Sequence, residues 1–176
     1  MRERLRLSER RDDFLLEQEW AVRVSDLQGH LLRHQPHIVH FSGHGSEDGA
    51  IILEDQNGRS RPVSPEALKR LFTTLKDNIR CVVLNACFSQ IQAKAIAESI
   101  ECVVGMSTAV LDDAAISFTA SFYQALGYGR SINEAFELGC GEIQLHDLGQ
   151  EDTPQLITNP GADAKTIYLI TPDRPR

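Results

Sequence analysis

Three short segments of the chain are almost continuously apolar, and residues at helical spacing fill the stretches between them. The apolar segments are HIVHFSG, IRCVVLNAC and ECVVGMS, which begin at His37, Ile79 and Glu101. Such runs predict strands covered on both faces of a sheet. Their alternation with helices predicts an α/β fold, a three-layer α/β/α sandwich with a mostly parallel sheet.

Helix starts are indicated by capping residues. Ser25 is the predicted N-cap of a helix over residues 25–33, which Pro36 stops, and Ser64 followed by Pro65 opens a second helix. Further helices are predicted over residues 90–100, about 113–126, and 131–140.

Other segments complete the predicted order. AIILED and SRPV, joined by a Q-N-G turn, predict a β-hairpin. Residues 14–24 are predicted as a short strand, and TIYLI near the C-terminus as a last strand. Residues 145–160 are predicted as a flexible loop.

Composition and net charge limit the range of possible folds and functions. The 176 residues, 41% of them hydrophobic, suffice for one packed domain over residues 1–176. The net charge of −7 argues against binding to nucleic acid or an anionic membrane, because neutralising phosphates needs a clustered positive surface. Basic residues do cluster in the charged segment 1–13, which is predicted as a solvated helix or frayed tail.

The four cysteines show no disulfide framework. Cys81 and Cys102 lie inside apolar runs, where a thiol behaves as a small core residue, and no CxxC pair occurs. Neither a signal-peptide pattern nor a membrane-spanning run of ~20 apolar residues is found. These features predict a reduced, cytoplasmic protein.

Two of the predicted strands are followed by side chains that are capable of catalysis. His44 lies between Gly43 and Gly45, so a tight loop can present an imidazole suited to proton transfer near neutral pH. Cys87 precedes a predicted helix whose N-terminus favours a thiolate. The alternatives are a surface turn histidine and a structural cysteine.

The pair is more informative than either residue. Carboxyl ends of parallel strands meet at one edge of a sheet, so His44 and Cys87, 43 residues apart, should rise from the same edge. Together they predict nucleophilic catalysis by the thiol with proton transfer by the imidazole. Backbone N–H groups of the two loops would bind a developing oxyanion.

HIVHFSGHGS followed by CVVLNACFS resembles the catalytic core of the caspase–haemoglobinase fold and, within it, the bacterial CHAT-domain peptidases. The similarity continues to about Phe136, through VVGMSTAVLDDAAISFTASFYQALGYGRSINEAF. It implies a caspase-like sheet and a cysteine endopeptidase that forms an acyl-enzyme on a protein or peptide substrate. It also implies a regulated protease in bacterial signalling or defence, with a sensor or activating protein as partner.

The resemblance assigns roles residue by residue. His44 matches the family's catalytic histidine and Cys87 its nucleophile. Gly45 matches the residue whose N–H helps form the oxyanion hole, with the N–H of Cys87 as second donor. Asn85 falls where the fold lines the substrate pocket, and Asp112 matches an acidic position that could face this pocket. The alternative role of Asp112 is an N-cap for the helix that follows.

The N-terminal region departs from the family pattern. CHAT-like domains carry an apolar strand before the segment similar to residues 1–14, in the middle of the sheet, and the sequence shows no such strand. We therefore expect either a fragment or a sheet completed in another way, for example by another chain. Homo-oligomerisation through that gap is a hypothesis, since open strand edges favour strand exchange.

No metal and no cofactor are expected. A zinc site from His40, His44 and Cys87 is the alternative, but it lacks a fourth ligand. Two other functions stay open: a catalytically silent regulatory or scaffolding domain of the same fold, and another cysteine hydrolase such as an amidase. Fast thiol labelling of Cys87 would favour a hydrolase over a silent domain.

Overall fold

The structure, a computed structural model, describes residues 8–170, which form two units. The first, called the sheet unit, comprises residues 17–109 and 155–162. The second, called the helical unit, comprises residues 8–16, 110–154 and 163–170.

Parallel strands are the framework of the sheet unit. The strands of the described residues are β1 (Ile38–Ser42), β2 (Ile51–Glu54), β3 (Ser60–Val63), β4 (Cys81–Asn85), β5 (Cys102–Met106) and β6 (Pro154–Thr158). One sheet has the order β1-β4-β5-β6, and β4 pairs in parallel with both β1 and β5. The antiparallel pair β2–β3 is the predicted hairpin. The predicted α/β class and mostly parallel sheet are therefore confirmed.

Helices alternate with the strands, and serine caps mark the starts of two of them. They are α1 (Val24–His34), α2 (Pro65–Thr74), α3 (Gln90–Ala97), α4 (Asp112–Gly127) and α5 (Ile132–Leu145). Ser64 caps α2 by accepting a hydrogen bond from the Ala67 N–H at 3.2 Å. Ser131 and Glu134 form a capping box at the start of α5.

The core of the sheet unit contains side chains from the sheet, the hairpin and the helices that precede and follow β4. Every residue of β4 and β5 is buried, as expected for strands covered on both faces. The buried cluster comprises Leu31, Ile51, Leu53, Val63, Leu68, Phe72, Ile79, Val82, Leu84, Ala93, Ile96, Ala97, Ile100 and Val103. The apolar runs thus identify β4 and β5 as core strands. The prediction that β1 is covered on both faces is wrong: its residues are half-buried or exposed, because β1 lies at the end of the strand order.

The strand predicted over residues 14–24 is wrong. Residues 14–20 have no regular structure, and Leu15 and Trp20 are exposed. Ala21 has a φ of 49°, which is incompatible with an extended strand. The end of the predicted strand does pair with the hairpin, through an isolated bridge between Arg23 and Glu54, but α1 begins at the next residue.

The predicted cap of the first helix is also wrong. Helix α1 starts at Val24, with Arg23 in the N-cap position, so Ser25 lies inside the first turn. The Ser25 hydroxyl donates to Asp26 instead. Of the charged segment 1–13, residues 1–7 lie outside the described residues, and residues 11–13 form a 3₁₀ turn.

The C-terminal predictions need correction as well. TIYLI is not a strand: Ile167 is buried, and its carbonyl accepts a hydrogen bond from the Ile132 N–H at the start of α5. The last strand of the described residues is β6, which lies inside the predicted loop 145–160. Helix α5 continues to Leu145 instead of ending at Cys140.

Aromatic packing joins the two helices of the helical unit. The Phe118 ring of α4 meets the Phe136 ring of α5 edge-to-face, with centroids 5.8 Å apart. Gly139 of α5 lies so close to this ring that a Cβ there would come within 2.7 Å of it. This close contact requires a residue without a side chain at position 139. No helix in residues 8–170 is long and apolar enough to cross a membrane.

Candidate active site

Strands β1 and β4 end at the same edge of the sheet, and the two candidate catalytic residues follow these strand ends. Ser42 and Asn85 are their last register partners, and the Gly43 N–H donates to the Asn85 carbonyl at 3.3 Å. His44 follows two residues after Ser42, and Cys87 follows two residues after Asn85. His44 is exposed and Cys87 is half-buried, so both side chains are accessible to a substrate.

The loop that carries His44 lies against the backbone of Cys87. A Cβ added to Gly45 would collide with the carbonyl oxygen of Cys87 and approach its carbonyl carbon to 3.1 Å. Glycine is therefore required here for the close approach of two backbones. This contact fixes the segment that presents the imidazole relative to the segment that presents the thiol.

A second close approach holds the same loop. A Cβ on Gly49 would lie 2.9 Å from Cδ1 of Ile91, in the first turn of α3. The loop is closed by hydrogen bonds from the Ser46 N–H to the Ala50 carbonyl at 2.9 Å and from the Gly49 N–H to the Ser46 carbonyl at 2.8 Å. The turn after His44 is thus short, internally bonded and packed on the helix that follows Cys87.

Pairing with the hairpin orients the Gly45 amide. Gly45 forms an isolated antiparallel bridge with Ile51. The flanking bonds run from the Ile52 N–H to the His44 carbonyl and from the Ser46 N–H to the Ala50 carbonyl. Gly45 is therefore in a non-hydrogen-bonded pair, and its N–H points away from Ile51. An amide oriented in this way suits the predicted role in an oxyanion hole.

The residue after Cys87 has an unusual backbone conformation. Phe88 has a φ of 57°, a left-handed value that bulky residues rarely adopt. Its N–H donates to the Thr108 carbonyl at 3.1 Å, which holds the turn against the segment after β5. Strain of this kind persists where the surrounding structure imposes it and clusters at functional sites.

Ser89 connects this turn to two strands. Its buried hydroxyl donates to the Leu84 carbonyl at 2.8 Å and accepts from the Met106 N–H at 2.9 Å. Gly105, beside Met106, allows this approach, since a Cβ there would come within 3.0 Å of the Ser89 carbonyl oxygen. The sequence analysis did not identify Ser89. The signal available was Gly105, because an isolated glycine inside a strand indicates close backbone approach.

The two predicted substrate-binding residues lie in different units. Asn85 is the last residue of β4 and is 8% exposed. Asp112 is the exposed first residue of α4, in the helical unit. Leu111 occupies the N-cap position, so the alternative role of Asp112 as an N-cap is wrong. The pocket roles of Asn85 and Asp112 stay predictions.

The other cysteines differ from Cys87 in their surroundings. Cys81 and Cys102 are fully buried in neighbouring strands, and burial raises the pKa of the Cys81 thiol. Burial, with Glu137 and Asp152 nearby, raises the pKa of Cys140 to about 12. A raised pKa disfavours the thiolate, the nucleophilic form of the side chain.

The alternative zinc site of the sequence analysis is not supported. His40, His44 and Cys87 do not bring their ligand atoms together in the part of the chain that the structure describes. Burial lowers the pKa of His40 to about 4, so this imidazole is neutral at physiological pH.

Comparison with known proteins identifies relatives of the chain. The model of the CHAT domain family matches residues 12–138. A probable protease of Gillisia limnaea is 27% identical over 146 residues, which cover 81% of this chain and 26% of the relative. A Roc-COR-CHAT protease of an unknown prokaryotic organism is 28% identical over 130 residues, 70% of this chain and 12% of the relative. A Roc-COR-CHAT protease of Runella zeae is 30% identical over 110 residues, 60% of this chain and 12% of the relative.

Proposed function

Because the chain belongs to the CHAT domain family, we propose that it is a cysteine endopeptidase with Cys87 as nucleophile and His44 as proton-transfer group. The observation that carries this proposal is the close approach of Gly45 to the Cys87 carbonyl. It joins the loop of the imidazole to the turn of the thiol. The names of the relatives, all given as proteases, support the same reaction class.

The proposed reaction proceeds through a thioester. The Cys87 thiolate attacks the carbonyl carbon of the peptide bond, the C–N bond breaks, and protonated His44 gives its proton to the leaving amine. Water then attacks the thioester while His44 takes a proton from it. The Cys87 thiolate leaves, and the acid product is released.

Backbone amides would stabilise the tetrahedral intermediates. The Gly45 N–H points away from the hairpin, and Gly45 contacts Cys87, whose own N–H is the proposed second donor. Removing one oxyanion donor from such a site typically costs about 10²–10³ in turnover. The position of Gly45 is therefore required for the proposed catalysis as well as for packing against Cys87.

The proposed substrate is a protein or peptide, and the proposed regulation is by a sensor or activating partner. The chain spans about a quarter or less of the length of these relatives. Asn85 ends β4 beside the thiol turn and is proposed to contact the residue before the scissile bond. Its neutral amide does not by itself favour a basic side chain there.

The test is hydrolysis of a fluorogenic peptide library varied at the residue before the scissile bond. The purified chain is compared with Cys87→Ala, His44→Ala and the control Cys140→Ala, whose thiol lies in α5. We expect turnover in the wild-type chain and in the control, and loss by at least about 10³-fold in the other two variants. Circular dichroism of each variant verifies that it is folded.

Two results would contradict the proposal. Turnover that survives Cys87→Ala would assign the activity to another group or to a contaminant. A folded wild-type chain without turnover, whose Cys87 is alkylated no faster than Cys140, would favour the silent regulatory domain. Fast alkylation without turnover would instead be consistent with an enzyme that awaits its activating partner.

A further inference from the structure

Three metal-ligating side chains meet in the sheet unit outside the candidate active site. Oε1 of Glu19 lies 3.0 Å from Nδ1 of His30 and 2.9 Å from Nε2 of His34. One ligand atom from each residue lies within 4.8 Å of the other two. The proposed peptidase mechanism uses none of these residues.

Secondary structure brings the three residues together. His30 and His34 are four residues apart on α1 and therefore lie on the same face of the helix. Their rings are nearly parallel, with centroids 6.3 Å apart and planes inclined by 13°. Ala21, whose φ is 49°, lies between Glu19 and the start of α1, and Glu19 contacts both histidines on this face.

The end of this turn is anchored to the hairpin. The Glu54 N–H donates to the Val22 carbonyl at 3.3 Å, and Arg23 forms a parallel bridge with Glu54. Glu19 therefore belongs to a segment whose downstream end has a fixed position. A carboxylate held in this way approaches both imidazoles without any rearrangement of the helix.

The geometry points to a zinc-binding site made of Glu19, His30 and His34. Two imidazoles and a carboxylate are ligands that Zn²⁺ prefers, and bonds of 2.0–2.2 Å in a tetrahedral site place donor atoms about 3.3 Å apart. The two separations from Oε1 are close to this value, and the two imidazole nitrogens lie within 4.8 Å of each other, so side-chain rotations can bring the three donor atoms into range.

The exposure of the site fits an ion that enters from solvent. The side chains of His30 and His34 are 26% and 24% exposed, and that of Glu19 is 36% exposed. Three protein ligands leave one position of a tetrahedral ion open for water or an external ligand. A bound ion would hold Glu19 against α1 and stabilise the folded chain by linkage.

The test is titration of the full chain with Zn²⁺ by calorimetry, together with ¹⁵N NMR of the histidine side chains. The variants are Glu19→Gln, His30→Gln and His34→Gln. The matched control is His146→Gln, because His146 also lies four residues from a carboxylate, Glu142, on a helix. This test does not depend on peptidase activity.

We expect Zn²⁺ to shift the ring nitrogens of His30 and His34 and to raise the melting temperature of the wild-type chain and the control. Each ligand variant should lose more than the roughly 10–100-fold in affinity that follows loss of an outer-shell partner. Wild-type affinity in all three ligand variants would overturn the proposal. So would zinc binding that disappears in Cys87→Ser and leaves the His30 and His34 signals unmoved, since the ion would then bind at the thiol.

Discussion

Ser42 and Asn85 face each other as the last register pair of β1 and β4, and His44 and Cys87 follow them at equal spacing. Because the two strands are parallel and in this register, the segments that carry His44 and Cys87 leave the sheet at the same edge. Only short turns are then needed to bring these segments into contact. The contact between Gly45 and Cys87 shows that the two turns do meet.

Gly45→Ala should abolish peptidase activity in a chain that still folds. The added methyl would collide with the Cys87 carbonyl, so the His44 loop must move away from the thiol. We expect a loss of at least about 10²-fold in kcat/KM, comparable to the loss of an oxyanion donor. The measurement is hydrolysis of the best library peptide.

Gly141→Ala is the matched control for that variant. Gly141 lies in α5 with no heavy atom near the position of a Cβ. Alanine there should leave activity unchanged and raise the free energy of unfolding by about 0.5–1 kcal/mol. Equal activity in both variants would show that the contact at Gly45 is not needed.

Ser89→Ala should lower the free energy of unfolding by about 1–3 kcal/mol. The substitution removes two buried hydrogen bonds and leaves the Met106 N–H and the Leu84 carbonyl without that partner. Urea denaturation measures the change. Ser25→Ala, whose hydroxyl bonds to Asp26 at the surface, should change stability by less than about 0.5 kcal/mol. A Ser89 variant as stable as this control would contradict the role assigned to Ser89.

Alkylation by iodoacetamide at pH 8 should modify Cys87 well before the other thiols. Cys81 and Cys102 are inaccessible in the folded chain, and the pKa of Cys140 is raised to about 12, so little of it is thiolate. Peptide mass spectrometry at successive times gives the four rates. The expectation fails if Cys140 reacts as fast as Cys87 under native conditions.

His40 should make the folded chain sensitive to acid. Burial lowers the pKa of His40 from 6.5 to about 4, so between these pH values the unfolded chain binds a proton that the folded chain does not. The free energy of unfolding should therefore be highest above pH 6.5 and fall as the pH drops towards 4. We expect a loss on the order of 2 kcal/mol, since the residue is only half-buried.

The pH dependence is checked by urea denaturation between pH 4 and 7.5. His40→Gln should flatten the slope between pH 6.5 and 4. His37→Gln, at an exposed position just before β1, should keep it. Identical slopes in the wild-type chain and His40→Gln would assign the acid sensitivity to other groups.

The core strands and the positions of the candidate catalytic residues could be predicted from the sequence because, at these places, local sequence patterns agree with the tertiary structure. Continuous apolar runs identify β4 and β5, and both candidate catalytic residues directly follow such runs. Ser64 was predictable as a cap because the Pro65 that follows it suits the first turn of a helix. These features depend on neighbours in the sequence.

The features that could not be predicted depend on contacts with residues that are distant in the sequence. Strand β6 pairs beside β5 although about fifty residues separate them, and its residues carry no strong alternation. TIYLI has strand-like residues, but Ile167 bonds to the start of α5 instead. Ser89 is a small polar residue whose importance comes from two strands that lie on either side of it only in the folded chain.

The edge position of β1 has a consequence for how the proposed peptidase would lose its activity on heating. In the sheet of the described residues, β4 has a neighbour on each side, whereas β1 has β4 alone. Backbone amides of β1 should therefore exchange with solvent deuterium sooner than those of β4, because an edge strand can detach without disrupting the rest of the sheet. On gentle warming, the histidine would leave its position while the cysteine is still held, so inactivation would precede global unfolding and reverse on cooling.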